Sequence, residues 1–473
     1  MTGPPGILTP QQIVDAALAA SRADGCVVVV ESGTEANVRW ANNTVTTNGI
    51  SRSLSWFVVA ISDGAAGTVA ASAASADSTR AVAEVVAAAH EAAKAAARSG
   101  RARDQQPLVE PGQDIASTAL NFEDAPESTS FAVFNQLLGS LAVAFDAARS
   151  ADRILYGFAR HELTTTHLGS STGLRLRWVQ PTGLLEVNAK SADLRRSAWA
   201  GVSTADFHGV DVLEVANGLA KRLDWARRSV ELPPGRYDTV LPPTAVADFV
   251  LYLAWSAGAR PAHEGRSVFS APGGGTKVGQ RLTERGFTLF SDPSVTGLES
   301  TPFLVASSSG DELSVFDNGA PIGRADLLTD GVITNLVHTR GSAAEFGEAF
   351  VPQGDNLVLT GGEPGRGVDD LLAGVRRGLL VTSQWYLRDI DPMTLVLTGL
   401  TRDGVFLVED GEIAGAVNNF RFNMSPLDVL KQAVDVGGTV PALSREWSDW
   451  FTRSAMPPML VEGFNMSSVS KAQ

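Results

Sequence analysis

The stretch VELPPGRYDTVLPPTAVADFV, residues 230–250, separates two halves of the chain that differ in character. Its two Pro-Pro pairs bracket a short predicted strand at 237–241, and a helical pattern follows from about residue 244. Proline interrupts helices and central strands, and proline-rich stretches are typical of domain boundaries. We therefore predict an N-terminal domain over residues 1–230 and a C-terminal domain over residues 231–473.

The first 62 residues predict a helix followed by strands. Thr9, Pro10 and Gln12 match a capping box with proline at the first helical position. The continuous apolar run CVVVVES, which starts at Cys26, predicts a buried strand. Asn48-Gly49 lies between the next two alternating runs and predicts a hairpin turn there.

Longer patterns complete the fold prediction. Residues 153–192 alternate as an antiparallel meander with turns near 169–173 and at Pro181-Thr182-Gly183. The second half is rich in glycine and short strands, with Asp403-Gly404 and Asp410-Gly411 as hairpin turns. The predicted class is α+β, with an N-terminal α/β domain built on a mixed or antiparallel sheet and a β-rich C-terminal domain.

Composition excludes several functions. The chain of 473 residues has a net charge of −14 and no dense basic run, so a nucleic-acid partner is not expected. Cys26 is the single cysteine, which rules out an internal disulfide and a cysteine-cluster zinc site. The N-terminus lacks the pattern of a signal peptide, and the apolar-looking stretch 64–75 is mostly Ala, Gly and Ser. These features predict a cytoplasmic protein with no membrane partner.

The pair His263-Glu264 begins in the way that many zinc peptidase motifs begin. The helical motif H-E-x-x-H works because residues i and i+4 share one helix face. Here the positions four and five residues after His263 are Ser267 and Val268, neither of which is a zinc ligand of choice. The spacing favours a loop pair in which Glu264 is solvated or paired with Arg266.

The segment HELTTTH offers His161 and His167 as a second candidate pair. Its threonine-rich centre favours a strand, on which residues six apart share a face but lie roughly 20 Å apart. One metal ion cannot bridge that distance. His90 falls within an Ala-rich predicted helix and is read as an ordinary surface histidine.

Two further stretches resemble catalytic motifs only superficially. Residues 271–279, APGGGTKVG, lack the spacing of a phosphate-binding loop and are read as a surface loop. Asp317, in FDNGAPIGR, is read as a turn-capping residue. The pattern G-x-S-x-G occurs at residues 169–173, but in a predicted turn between two strands and not between a strand and a helix, so it is not read as a nucleophile elbow. We therefore assign no catalytic, cofactor-binding or metal-ligating residue to this chain.

Several segments, in order, resemble the TldD/PmbA family and more closely its PmbA (TldE) branch. The boundary stretch resembles the family's junction, and EGRSVFS, residues 264–270, is similar to its G-[RT]-S-x-F segment. VFDNGAPIGRADLLTDGVITNLVHTR and VFLVEDGEIAGAVNNFRFN resemble its later hairpins, and MPPMLVEGFNMSS resembles its closing strand. The resemblance extends over most of the chain.

The resemblance implies an N-terminal α/β domain, a β-rich C-terminal domain and a role in proteolysis. It implies that a TldD-branch partner carries zinc on an H-E-x-x-x-H motif and a C-terminal cysteine, and that the paired subunits enclose a chamber for unfolded peptides. The partner's motif lies about fifteen residues before the G-[RT]-S segment, which corresponds here to VLYLAW, residues 250–255. This stretch has no His and no Glu.

The expectation is therefore a non-catalytic, TldE-like subunit that holds no cofactor itself and pairs with a TldD-like paralogue that binds zinc. Two alternatives stay open. The chain could be a stand-alone peptide-binding or assembly protein without peptidase activity. It could also be an independent metallopeptidase that uses His161, His167 or His263 in an arrangement that sequence cannot reveal.

Overall fold

The computed structural model describes residues 6–112 and 120–470, which form an α+β fold with three sheets. The N-terminal sheet has the order β3-β2-β1-β4-β5-β6 and is antiparallel throughout. Its strands are β1 Gly25–Ala41, β2 Thr44–Ser62, β3 Ala65–Ser72, β4 Arg153–Ser170, β5 Arg175–Ser191 and β6 Ser197–Thr204. The predicted α+β class is confirmed, and of the two sheet types considered for this half the antiparallel one is present.

Both faces of this sheet are covered, which explains the continuous apolar run at its centre. Cys26, Val28 and Val30 face a layer of helices, whereas Val27 and Val29 pack toward Phe303 and Phe316 of the C-terminal half. The helices of this half are α1 Pro10–Ala20, α2 Thr79–Ala97, α3 Asn135–Ser150 and α4 Val212–Trp225, with 3-10 turns at Ala73–Ser75 and Phe131–Phe134.

The predicted helix start at Thr9 is confirmed in detail. The Thr9 hydroxyl accepts a hydrogen bond from the Gln12 backbone, and the Gln12 side chain accepts one from the Thr9 backbone. Ile13, Val14 and Ala17 form the buried face of α1. The local sequence therefore sets both where this helix begins and which face it buries.

Among the described residues, one helical stretch, Phe131–Ser150, is long and apolar enough to cross a membrane by length and composition alone. The core helix of a soluble protein passes the same test. Here α3 buries a single stripe against the sheet and α4, formed by Leu137, Leu141, Ala144, Phe145 and Ala148.

The C-terminal half contains the other two sheets. One has the order β11-β10-β9-β12-β21-β20 and the other β14-β15-β18-β22-β8-β13-β16-β17-β7, with β19 paired to β22. The strands are β7 Ser229–Val230, β8 Gly235–Leu241, β9 Thr288–Ser291, β10 Ala325–Thr329, β11 Val332–Ile333, β12 Leu357–Thr360, β13 Arg377–Val381, β14 Gln384–Asp391, β15 Val396–Thr401, β16 Val405–Glu409, β17 Glu412–Val417, β18 Phe420–Met424, β19 Ala433–Val436, β20 Val440–Ala442, β21 Ser454–Met456 and β22 Met459–Val469.

One helix of this half, α5 (Pro243–Trp255), is buried in the core that the two sheets share. Eight of its residues between Ala245 and Leu253 are buried, on every side of the helix. A helix that is apolar all round belongs in a protein interior. The remaining helices are α6 Ala259–His263, α7 Arg340–Phe346, α8 Val368–Ala373 and α9 Pro426–Lys431, with a 3-10 turn at Val315–Asp317.

The first predicted hairpin turn is wrong. Asn48 and Gly49 lie inside β2, paired with Val38 and Asn37, and the chain reverses at Asn42-Asn43 instead. Both turn residues have positive φ, 52° and 58°, as a type I′ turn requires. Asn-Asn is a weaker turn signal than Asn-Gly. The Asn43 side chain stabilises this turn, because its amide oxygen accepts a hydrogen bond from the Leu155 backbone N–H at 2.7 Å.

Two other turn predictions are also wrong. Pro181-Thr182-Gly183 continues β5, and β6 pairs with β5 only from Gly183 onward. Pro181 is tolerated because that side of the strand is an edge at its position. Asp403-Gly404 joins β15 to β16, which are not neighbours in the sheet, so it is no hairpin. Asp410-Gly411 does join the paired strands β16 and β17 as predicted.

Candidate functional site

The segment that corresponds to the TldD-branch zinc motif, residues 250–255, is the last part of the buried helix α5. Its Tyr252 hydroxyl donates to the Leu387 carbonyl at 2.9 Å. Trp255 packs edge to face on Trp447, with ring centroids 5.0 Å apart, and also contacts Phe451. Apolar and aromatic side chains therefore occupy this position, and they do not fit a zinc ion, which needs imidazole, thiolate or carboxylate ligands.

Asp248 is the one carboxylate on α5, and its hydrogen bonds are to its own fold. It is fully buried and accepts from the Ser444 hydroxyl at 2.5 Å and from the Glu446 backbone N–H at 3.1 Å. Burial raises the pKa of Asp248 to about 7. These two hydrogen bonds, both to Oδ1, anchor α5 to the segment after β20.

His161 and His167 both lie on β4, as the sequence predicts, and are six positions apart on the strand. The His161 ring donates to the Ala205 carbonyl at 2.8 Å and contacts the Thr129 hydroxyl at 2.6 Å. His167 contacts the Gln11 amide at 3.2 Å, and burial lowers its pKa to about 4. Each ring has its own surroundings, so the structure does not bring this pair together.

His263, in contrast, lies in a cluster with His338 and Glu348. Its Nε2 is 2.9 Å from Glu348 Oε1, and His338 Nε2 is 2.9 Å from Glu348 Oε2. The ligand atoms of the three side chains all lie within 4.8 Å of one another. His338 is 1% exposed, whereas His263 and Glu348 reach the surface in part. Burial is the largest influence on the pKa of His338 and lowers it.

The spacing around His263 did not predict this cluster, and the predicted loop position of His263 is wrong. His263 is instead the last residue of α6, and Glu264 is its C-cap. The predicted Glu264–Arg266 pair is present at 2.7 Å, and Glu264 also pairs with Arg103 of the N-terminal half at 2.8 Å. These two arginines lower the pKa of Glu264.

The sequence does contain a local signal for the contact between His338 and Glu348, two of the three residues of the cluster. Thr339 caps α7 by accepting from the Ser342 backbone N–H, and Gly347 ends α7 in the left-handed region with a φ of 73°. A helix of two turns with these caps returns the chain, so that Glu348 meets His338. No comparable signal joins His263 to this pair, because α6 and α7 are brought together only by the fold.

The remaining candidates have structural roles. Asp317 is buried and accepts from Arg340 Nε at 2.8 Å, so it anchors the start of α7 and does not cap its own turn. Residues 271–279 form a surface loop in which Lys277 donates to the Val268 carbonyl at 2.6 Å. The next element after this loop is the strand β9, whereas a phosphate-binding loop leads into the N-terminus of a helix. His90 lies on α2, as predicted.

Two family models match the chain. One, described as the PmbA/TldA metallopeptidase C-terminal domain, matches residues 234–468, and the other, PmbA/TldA metallopeptidase domain 1, matches residues 26–96. A relative from Methanothermobacter thermautotrophicus named metalloprotease is 24% identical over 223 residues. That match spans 43% of this chain and 43% of the relative.

Solved structures with the same fold cover nearly the whole chain. TldE from Thermococcus kodakarensis has a TM-score of 0.75 and 17% identity, over 96% of this chain and 99% of that one. A proposed modulator of DNA gyrase from Thermotoga maritima has a TM-score of 0.73 and 18% identity, with the same coverage. At these identities the likeness establishes the fold alone.

Proposed function

Because the chain belongs to the PmbA/TldD metallopeptidase family, we propose that it is the non-catalytic, TldE-like subunit of a heteromeric zinc metallopeptidase in the cytoplasm. The observation that carries the proposal is the end of α5. Where the resemblance puts the zinc motif of the TldD branch, this chain has a partly buried tyrosine and a tryptophan, both packed on other aromatic rings. In this proposal a TldD-like paralogue supplies the zinc, its ligands and the catalytic glutamate.

The proposed contribution of this chain is a chamber wall with a strand edge for peptides. Residues 44–54 of β2 pair with β1 on one side, and β3 pairs with β2 only from Ser55 onward. Most side chains of this stretch are exposed. Within the part of the chain that the structure describes, no strand pairs with the other edge of this stretch. Such an edge presents unpaired N–H and C=O groups, which is the feature that extended peptides use when they add to a sheet.

Reconstitution tests the proposal. The tag-free chain, the TldD-like paralogue and their equimolar mixture are each incubated with an unfolded polypeptide, and peptide release is followed by mass spectrometry. We expect no cleavage by this chain and full activity from the mixture. The matched control is a mixture in which the glutamate of the paralogue's motif is replaced by glutamine, and it should be inactive.

Two outcomes would overturn the proposal. Cleavage by the pure chain would make it an independent peptidase. Failure to associate with the paralogue in size-exclusion chromatography, together with no effect on the paralogue's activity, would favour a stand-alone peptide-binding protein.

A further inference from the structure

We propose that His263, His338 and Glu348 bind one Zn²⁺ ion, at a site distinct from the α5 position of the TldD-branch motif. Two imidazole nitrogens and a carboxylate are a ligand set that zinc uses in proteins, with water in the fourth position. Ligand atoms about 2.0–2.1 Å from a tetrahedral zinc lie roughly 3.3 Å from each other. The observed separations, 2.9 Å for each His–Glu contact and at most 4.8 Å overall, require only small side-chain shifts.

The surroundings of His338 suit a metal ligand. Its Nδ1 is 3.1 Å from the Ser342 hydroxyl, which also donates to the Thr339 carbonyl at 3.2 Å. When Ser342 accepts from Nδ1–H, the lone pair of His338 lies on Nε2, the nitrogen that faces Glu348. Hydrogen bonds of this kind fix the tautomer and orientation of ligating histidines. Ser342 is therefore a positioning residue for the site.

The His263 ring is held by stacking. It lies parallel to the Phe346 ring, with centroids 3.9 Å apart and planes inclined by 6°. Phe346 is two residues before Glu348, so the same short segment orients the histidine and supplies the carboxylate. Two of the three ligands are thus preorganised by packing or hydrogen bonding, which lowers the cost of assembling the site.

The charges around the cluster do not oppose a cation. Arg103 and Arg260 both pair with Glu345, at 2.7 and 2.8 Å, and Arg266 pairs with Glu264. These carboxylates pair with the guanidinium groups, although the charge of Arg260 still lowers the pKa of His338. Among the described residues, the two histidines are the groups that hydrogen-bond to the Glu348 carboxylate. In the metal-free chain the Nε2–H groups of both histidines donate to Glu348. When zinc binds, the proton of each ring moves to Nδ1, and Nε2 binds the ion instead.

From its position in the fold, the ion would have a structural role. The ion would join the C-terminal end of α6 to the segments on either side of α7, next to the contacts that Arg103 of the N-terminal half makes with Glu264 and Glu345. Metal that binds only the folded chain stabilises it in proportion to the logarithm of its concentration. Zinc should therefore raise the melting temperature of the isolated chain. This inference revises the expectation from sequence spacing that the chain holds no metal.

The test uses the full-length, tag-free chain without any partner or peptide. After chelator treatment and removal of the chelator, Zn²⁺ is titrated by calorimetry, and Co²⁺ is added separately to record the visible bands of a four-coordinate site. We expect one Zn²⁺ per chain and a loss of affinity of about 100-fold or more in His263→Ala and His338→Ala. Ser342→Ala should lose about 10-fold, the usual effect of removing an outer-shell partner.

Two variants keep the experiment decisive. Glu348→Gln retains a hydrogen-bonding side chain of the same shape, so it should fold, bind zinc at least about 10-fold more weakly and lose the zinc-dependent rise in melting temperature. His208→Ala removes an exposed histidine outside the cluster and should bind zinc normally. Absence of binding in the folded wild-type chain, or binding that all cluster variants retain, would overturn the inference. Neither result bears on cleavage by the mixture with the paralogue.

Discussion

The indole rings of Trp255 and Trp447 meet edge to face, with centroids 5.0 Å apart and planes inclined by 80°. Trp255 is the last residue of the buried helix α5, and Trp447 lies on the segment between β20 and β21. Tyr252 and Phe451 complete the same aromatic group. This contact packs the end of α5 against the hydrophobic core.

A double-mutant cycle measures this packing. Trp255→Ala and Trp447→Ala should each lower the free energy of unfolding by about 2–4 kcal/mol, since both remove a large, mostly buried ring. Their coupling should be about 0.5–1.5 kcal/mol beyond the loss of buried area. Urea unfolding followed by circular dichroism gives all three values. Trp450→Ala, at a ring that is 80% exposed, is the control and should change stability by less than about 0.5 kcal/mol. Strict additivity of the two core variants would contradict the contact.

Asp248 should make the chain less stable as pH rises. Its pKa is raised by burial from 3.8 to about 7, so the folded chain keeps a proton between these values that the unfolded chain releases. Stability from this group is present below about pH 4 and falls by up to about 1.4 kcal/mol per pH unit as the pH approaches 7. Unfolding measured at several pH values should show this slope, and Asp248→Asn should flatten it. An unchanged slope in the variant would assign it to another group.

Arg445 should be essential for the contact between the two halves. Its guanidinium lies between Trp199 of β6 and Trp385 of β14, 5.1 and 5.3 Å from their ring centroids, and it pairs with Asp403. Both partners of the ion pair are largely buried, so Arg445→Ala should cost about 3 kcal/mol, because the buried Asp403 carboxylate keeps only the more exposed Arg402 as a charge partner, 3.5 Å away. Arg376→Ala, at an exposed arginine, is the control for denaturant unfolding. Equal stability of the two variants would contradict this account.

The Asn42-Asn43 turn predicts an asymmetric effect of two asparagine substitutions. Asn43→Ala should destabilise the chain by about 2–4 kcal/mol, since it places alanine at a φ of 58° and removes hydrogen bonds with the Arg153 carbonyl and the Leu155 N–H. Asn48→Ala, in the exposed part of β2, should change stability by less than about 0.5 kcal/mol. A larger effect at Asn48 would restore the turn that the sequence first suggested.

The sequence by itself determined the features that depend on neighbouring residues. The capping box at Thr9, the buried strand at Cys26 and the Asp410-Gly411 turn could all be read locally. Each depends on dihedral preferences, hydrogen bonds or an apolar pattern within a few residues. The same locality explains the errors at Asn48-Gly49 and at Pro181, because pairing with β1 and β4 extended those strands through residues that favour turns.

Only the tertiary structure decided which distant side chains meet. His263 is 75 positions before His338, and no periodicity relates them, yet the packing of α6 beside α7 places both rings on Glu348. At residues 250–255, the lack of zinc ligands was visible in the sequence. The contacts of Trp255 with other aromatic rings were not. Spacing tests detect sites built on one helix or strand. A site assembled from several elements forms only when the packing of the whole core aligns those elements. No short stretch of sequence determines that packing.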